Sequence, residues 1–187
     1  MREKKSAAPG GGAPVVHSIP PVWSAESRVL ILGSMPSPKS RSAGFFYMHP
    51  RNRFWRVISA ALGETLSLPN DAPDLSAAIA ERKALLLRHR VALWDVLASC
   101  TVTGAADASI RDAVPNDFSK LLARSEIRRV LCTGKAAFGL WKKLCAAEYE
   151  ERFGVESRLL PSTSPANAAW TEERLAREYA AVGELRP

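Results

Sequence analysis

Cysteine is scarce in this chain: 187 residues hold three, at Cys100, Cys132 and Cys145. Three scattered thiols argue against a disulfide framework and for a reducing compartment. They fall short of the four ligands of an iron–sulfur cluster, and no pair has metal-ligand spacing, so no metal and no other cofactor are expected. Long apolar runs are also missing. No stretch reaches transmembrane length, and no membrane partner is expected. The first residues are charged and lack the apolar core of a secretory signal, which points to the cytoplasm. Acidic residues are the next deficit, 19 against 26 basic ones, for a net charge of +7 and a pI near 9.7. That balance points to a polyanionic partner, nucleic acid first, or equally to a cytosolic protein that is simply basic. No internal repeat is present.

What remains is the composition of an ordinary globular chain, long enough for one domain with a two- or three-layer core. Residues 1–21 are Lys, Gly, Ala and Pro without periodicity, and read as a disordered basic tail. Residues 22–187 read as a single domain. Apolar runs at Val29–Leu32, Val91–Trp94, Arg128–Cys132 and Ser157–Leu160 read as strands. Helical spacing covers the stretch from Arg51 or Asn52 to Leu62, then Asp74–Arg88, a helix following Gly134, and Thr171–Val182. Residues 100–109 read as a loop, Ile110–Val114 is ambiguous, and Asn116 is placed to cap a helix through Leu122. Strands alternating with helices predict an α/β fold. The expected form is a three-layer αβα sandwich around a central, mainly parallel four-stranded sheet.

One stretch organises the rest: RVLILGSMPSPKSRSAGFFYMHPRNRFW, Arg28 to Trp55. A buried strand empties at Gly33 into a polar loop. Three aromatics follow (Phe45, Phe46 and Tyr47), then His49-Pro50, then a helix with Phe54, Trp55, Ile58 and Leu62 on its apolar face. α/β proteins build ligand sites at such strand ends. Three successive aromatics cannot all point inward, so at least one is expected to line a pocket.

Gly33 to Pro36, Gly44, Tyr47 and Pro50 to Trp55 match, in spacing, the first motif of the uracil-DNA glycosylase superfamily, as its mismatch-specific uracil/thymine glycosylases carry it. Met35 stands where those enzymes carry a catalytic Asn, and a thioether cannot orient a water or accept its proton. The tetrad His49-Pro50-Arg51-Asn52, the phrase LWDVLASC and the loop STSPAN instead resemble the hypoxanthine-DNA glycosylase branch, over roughly residues 27–185. In that branch the Asn of His-Pro-x-Asn is regarded as catalytic.

The resemblance implies a monofunctional DNA glycosylase of base excision repair. It would flip a deaminated base from DNA, hydrolyse the N-glycosidic bond and leave an abasic site. Hypoxanthine is the first expected substrate. Uracil or mismatched thymine is the alternative, and a catalytically silent DNA-binding member is a further one. The implied partner is double-stranded DNA, with single strands second, which places the chain near the nucleoid; the sequence is silent on oligomeric state, and a monomer is the default expectation. Asn52 is the expected catalytic residue, with a helix cap as its alternative role. His49 would donate to the departing base or a phosphate, or else bond backbone. Asp95 would stabilise sugar cation charge or accept a base N–H, or else cap a turn. Tyr47 and Phe46 would hold the base, with Gly33, Ser34 and Met35 around it. Ser37, Lys135, Ser162, Thr163, Ser164 and Asn167 are the candidates for phosphate or minor-groove contact, against helix capping for the loop and plain solvation for the lysine. Arg41, Arg51 and Arg53 add positive charge nearby.

Overall fold

A computed structural model describes residues 13–103 and 107–183. Its strands are β1 (Ala13–Val16), β2 (Val29–Gly33), β3 (Val91–Asp95), β4 (Leu97–Val102), β5 (Arg111–Pro115), β6 (Arg129–Thr133) and β7 (Glu156–Leu160). Its α-helices are α1 (Pro38–Ala43), α2 (Phe54–Ala61), α3 (Leu75–Arg88), α4 (Ser119–Ala123), α5 (Lys135–Leu144), α6 (Ala146–Phe153) and α7 (Glu172–Tyr179).

The centre is a four-stranded, all-parallel sheet in the order β3-β2-β6-β7. Every residue of β2 is buried, as a parallel strand covered on both faces requires. Its side chains alternate between two cores. Val29 and Ile31 join Phe54, Trp55 and Ile58 of α2, Leu85 and Leu86 of α3, and Leu175 and Tyr179 of α7. Leu30 and Leu32 join Leu121 and Leu122 of α4, Trp141 of α5 and Tyr149 of α6. The fold is therefore the three-layer α/β sandwich expected from the alternating pattern.

A second sheet was not expected. β1, β4 and β5 form an antiparallel sheet in the order β1-β4-β5. Residues 13–21, assigned from composition to the tail, therefore belong to the fold; only 1–12 of that tail lie outside the described residues. β1 pairs with β4 from Ala13↔Val102 to Val16↔Ser99. Ile19 is buried, and Val22 makes two backbone bonds to Leu93, covering the open edge of β3. Composition missed this because a four-residue strand after a glycine run acquires its stability wholly from a partner far along the chain. For the same reason Cys100–Val102 is strand rather than loop; the ambiguous stretch at 110–114 becomes β5 by pairing, with irregular register, back onto β4. Asn116 does not cap α4. It donates Nδ2 to the Asp95 carbonyl, while Asp117 accepts from the Ser119 N–H.

Candidate active site

A cleft of about 290 Å³ opens at the carboxyl ends of the parallel strands. Gly33 ends β2, Asp95 ends β3, Thr133 ends β6, and Ser162–Ser164 follow β7; all line it. Gly33 and Asp95 are neighbours in register. The chain runs outward from β2 to β3 and then returns to β6 on the other side of β2. That reversal is the switch point where open α/β sheets leave a crevice for ligands.

Asn52 stands at the entry to α2 and lines this cleft. Its Oδ1 accepts from the Phe54 N–H at 2.9 Å and from the Thr163 hydroxyl at 3.0 Å. The helix starts at Phe54 rather than 51 or 52 and its N-cap is Arg53, without a side-chain cap bond, so Asn52 is not the ordinary N-cap; it braces the chain just before the helix through the Phe54 N–H. Bracing the helix entry and serving the cleft are compatible here because an amide has two ends. A backbone donor fixes the oxygen as the end turned to structure, which leaves Nδ2, without a partner among the described residues, as the group able to serve the cleft.

Asp95 is buried at the end of β3. Burial pushes its carboxyl above the usual aspartate range, opposed by the hydrogen bond and charge of His17, whose Nε2 lies 3.0 Å from Oδ2. Gly33 lets the carboxylate sit tight against the strand. A Cβ there would fall 2.2 Å from Asp95 Oδ1 and 2.8 Å from the Tyr47 hydroxyl.

Tyr47 holds the left-handed conformation, φ 56°, that bulky residues rarely adopt. Phe54 stacks on one face of its ring at 3.9 Å, and its hydroxyl bonds the Thr133 hydroxyl at 2.8 Å. With one face covered, the other is the one available to the cleft that Tyr47 lines. Burial raises the phenol well above its ordinary range, so it stays neutral. The strained turn is pinned from beneath. Asn70 donates Nδ2 to the carbonyls of Tyr47, His49 and Asn52, and the buried Arg82 guanidinium donates to Asn70 Oδ1 at 2.9 Å.

His49 lines the cleft with Nδ1 accepting from the Arg51 N–H, so in its neutral form the ring proton sits on Nε2. Phe46 is almost wholly buried against Phe45 and His17 but still forms part of the cleft wall. Ser34, Met35 and Ser37 line it too. The Ser34 hydroxyl donates to Asp107 at 2.7 Å, and Ser37 caps α1. Lys135 and Asn167 lie outside its walls. Lys135 is exposed at the first turn of α5, and Asn167 spends its amide on the Ser162 carbonyl, holding its own loop. Three residues escaped sequence reasoning. Thr133 carried a usable signal, since it ends an apolar strand as Gly33 and Asp95 do. Asp107 and His17 carried none, because both are brought in by the unexpected sheet.

Arg53 does not face a ligand as free charge. Its guanidinium donates to the carbonyls of Thr163, Ser164, Asn167 and Trp170, clamping the loop after β7 to the start of α2. Lysine cannot reproduce that planar fork. Arg53→Lys is expected to cost about 2 kcal/mol, or about 4–8 °C in Tm, with faster hydrogen exchange confined to residues 162–170. Unchanged exchange there would show that the loop holds itself.

Known proteins resemble this chain in sequence and fold. A family model described as the uracil DNA glycosylase superfamily matches residues 20–186. A hypoxanthine DNA glycosylase of Methanosarcina acetivorans is 32% identical over 161 residues, 86% of this chain and 93% of its own length. Its namesake in Methanosarcina barkeri is 34% identical over 155 residues, 81% of this chain and 87% of its own. A solution NMR structure of a candidate uracil DNA glycosylase from Methanosarcina acetivorans matches with a TM-score of 0.68 at 29% identity, covering 90% of this chain and 97% of that one.

Proposed function

The chain belongs to the uracil DNA glycosylase superfamily, and from that premise we propose that it excises hypoxanthine from double-stranded DNA by simple hydrolysis. The observation that carries the reading is the meeting of Asn52, Asp95 and Tyr47 in one base-sized cleft at the strand ends. The hypoxanthine DNA glycosylases among its relatives support the choice of base. Met35 lines the same cleft in the place of a polar side chain, which fits poor use of uracil.

The nucleotide leaves the stack and its base enters against the open face of Tyr47, a contact worth about 1–3 kcal/mol. The Asn52 Nδ2 donates to the base or to the water. As the C1′–N bond breaks, its electron pair goes to the base and positive charge develops on the sugar, as in other glycoside cleavages. The Asp95 carboxylate balances that charge and takes a proton from the water that adds to C1′. His49 Nε2–H donates to the departing base. No lysine lines the cleft among the described residues, so a Schiff base and strand cleavage are not part of the scheme. Small hydroxyls at Ser162 and Ser164, with Lys135 beside them at the start of α5, are offered to backbone phosphates.

The test is a panel of labelled duplexes, each with one lesion (inosine, uracil, mismatched thymine or xanthosine), treated with alkali after incubation. Inosine should give the fastest alkali-dependent break, and single strands a slower one. A chain that binds every duplex and yields no abasic product would overturn the proposal. Acidity gives a second check. Burial holds Asp95 protonated at a pH where an ordinary aspartate has already ionised, so release should fall away on the acid side above the usual aspartate range. A single-turnover rate held flat down to about pH 4 would remove the charged carboxylate from the mechanism.

A further inference from the structure

His17 follows directly after β1, and its N–H continues that strand's bonding to the Ala98 carbonyl. The side chain is only 1% exposed. It packs near Phe46 and edge-on to Trp94. Both ring nitrogens are engaged. Nδ1 accepts from the Ile19 N–H at 3.2 Å, and Nε2 meets Asp95 Oδ2 at 3.0 Å. The first contact sets the second: a nitrogen that accepts cannot carry the proton, so the neutral ring holds it on Nε2, aimed at the carboxylate.

The other donors near Asp95 are turned elsewhere. The Tyr47 hydroxyl bonds Thr133, whose own hydroxyl donates to the Leu32 carbonyl. Asn116 serves the Asp95 backbone carbonyl, not its side chain. The nearby acid Asp107 opposes ionisation. His49 and Arg41 line the same cleft without a bond to the carboxylate. His17 is thus the side-chain donor to Asp95 among the described residues.

We propose that His17 is a positioning residue for base release: through Nε2–H it holds Oδ2 of Asp95, keeping the buried carboxylate ionised with Oδ1 turned to the cleft. This rests on the reading that Asp95 acts as an anion in catalysis. It assigns a catalytic purpose to the β1 segment, which otherwise looks like edge protection. His17 acts by hydrogen bonding, with no proton transferred within the pair.

The test is the pH profile of single-turnover release from an inosine duplex. His17→Phe keeps a flat ring but removes the donor. A hydrogen bond to a charged group then lost should move the acid limb upward by about one to two pH units, with the rate recovering toward wild type at the alkaline plateau. Gln places an amide N–H close to where Nε2 lies, so His17→Gln should return the limb most of the way. A packing role alone would lower the rate at every pH without moving the limb. Asp95→Asn separates the two claims. If it releases base at the wild-type rate, the reading of Asp95 fails and the proposal falls with it. If it is inactive and His17→Phe leaves the limb in place, only the role of His17 falls. Should His17→Phe not fold, the wild-type chain decides: nitrogen-15 NMR of the imidazole should show Nε2 protonated and Nδ1 bare, and the opposite tautomer would overturn the proposal.

Discussion

Replacing Asn52 with Ala is expected to slow single-turnover base release by about 10²–10³, while affinity for the duplex changes by less than about threefold. The separation follows from where binding energy comes from. Non-specific duplex affinity is set by phosphates and the cations that neutralise them, and Asn52 is neutral. In the proposed mechanism its contribution belongs to the bond-breaking step, where a fixed donor meets charge that was absent in the ground state. The alanine variant also loses two structural hydrogen bonds, at about 1 kcal/mol each, because Oδ1 accepts from Phe54 N–H and Thr163 Oγ1. Asn52→Asp separates the two roles. It keeps an oxygen for both donors and removes the Nδ2 donor from the cleft. Both variants should be slow, and only the alanine one destabilised. An Asn52→Asp enzyme as fast as wild type would place the chemistry on another group.

The parts of the fold legible in the sequence are those whose signal is local. β2 and β3 are runs of apolar residues, α3 repeats its Leu and Ala positions at helical spacing, and Asp74 caps it through the Ala77 N–H. Two-sided burial of the central strands follows from such runs. The β1-β4-β5 sheet was hidden because its strands are short and partly exposed, and β1 finds its partner β4 more than eighty residues along the chain. The break between α5 and α6 was hidden too. Cys145 leaves helical geometry there, φ −128°, with neither Gly nor Pro to announce it.

The site divides in the same way. Asn52, Tyr47 and His49 lie in one short motif, so their proximity was readable. Asp95 was readable as the residue after an apolar run. The use of each atom was not. Spacing cannot show that Asn52 spends its oxygen on structure, or that Arg53 satisfies four carbonyls of a loop more than a hundred residues away. His17 was the least accessible, since its meaning exists only once Asp95 is beside it, 78 residues later.

Asp95→Asn is expected to lose base release by about 10²–10³ with a Tm at neutral pH equal to or above that of the wild type. The side chains are nearly the same size, and the Asn oxygen can still accept from His17 Nε2–H. What disappears is the charge. Burial raises the folded-state pKa of Asp95 above its unfolded value, so the folded chain keeps a proton the unfolded chain has lost. Wild-type stability therefore drops as pH rises through that window, and the asparagine variant escapes the drop. The Tm difference should be near zero in acid and grow toward neutrality; the opposite slope would show that the carboxylate stabilises the fold. Gly33→Ala should reach the same inactive end by displacement. Gly33 is not among the glycines with positive φ, so its backbone admits alanine. The obstacle is contact, since a Cβ would come within 2.2 Å of Asp95 Oδ1 and 2.8 Å of the Tyr47 hydroxyl. Carboxylate and ring must both retreat, and a displacement of about 1 Å is enough to cost about a hundredfold in rate. A folded Gly33→Ala chain with full activity would mean that neither group needs to stand where it does.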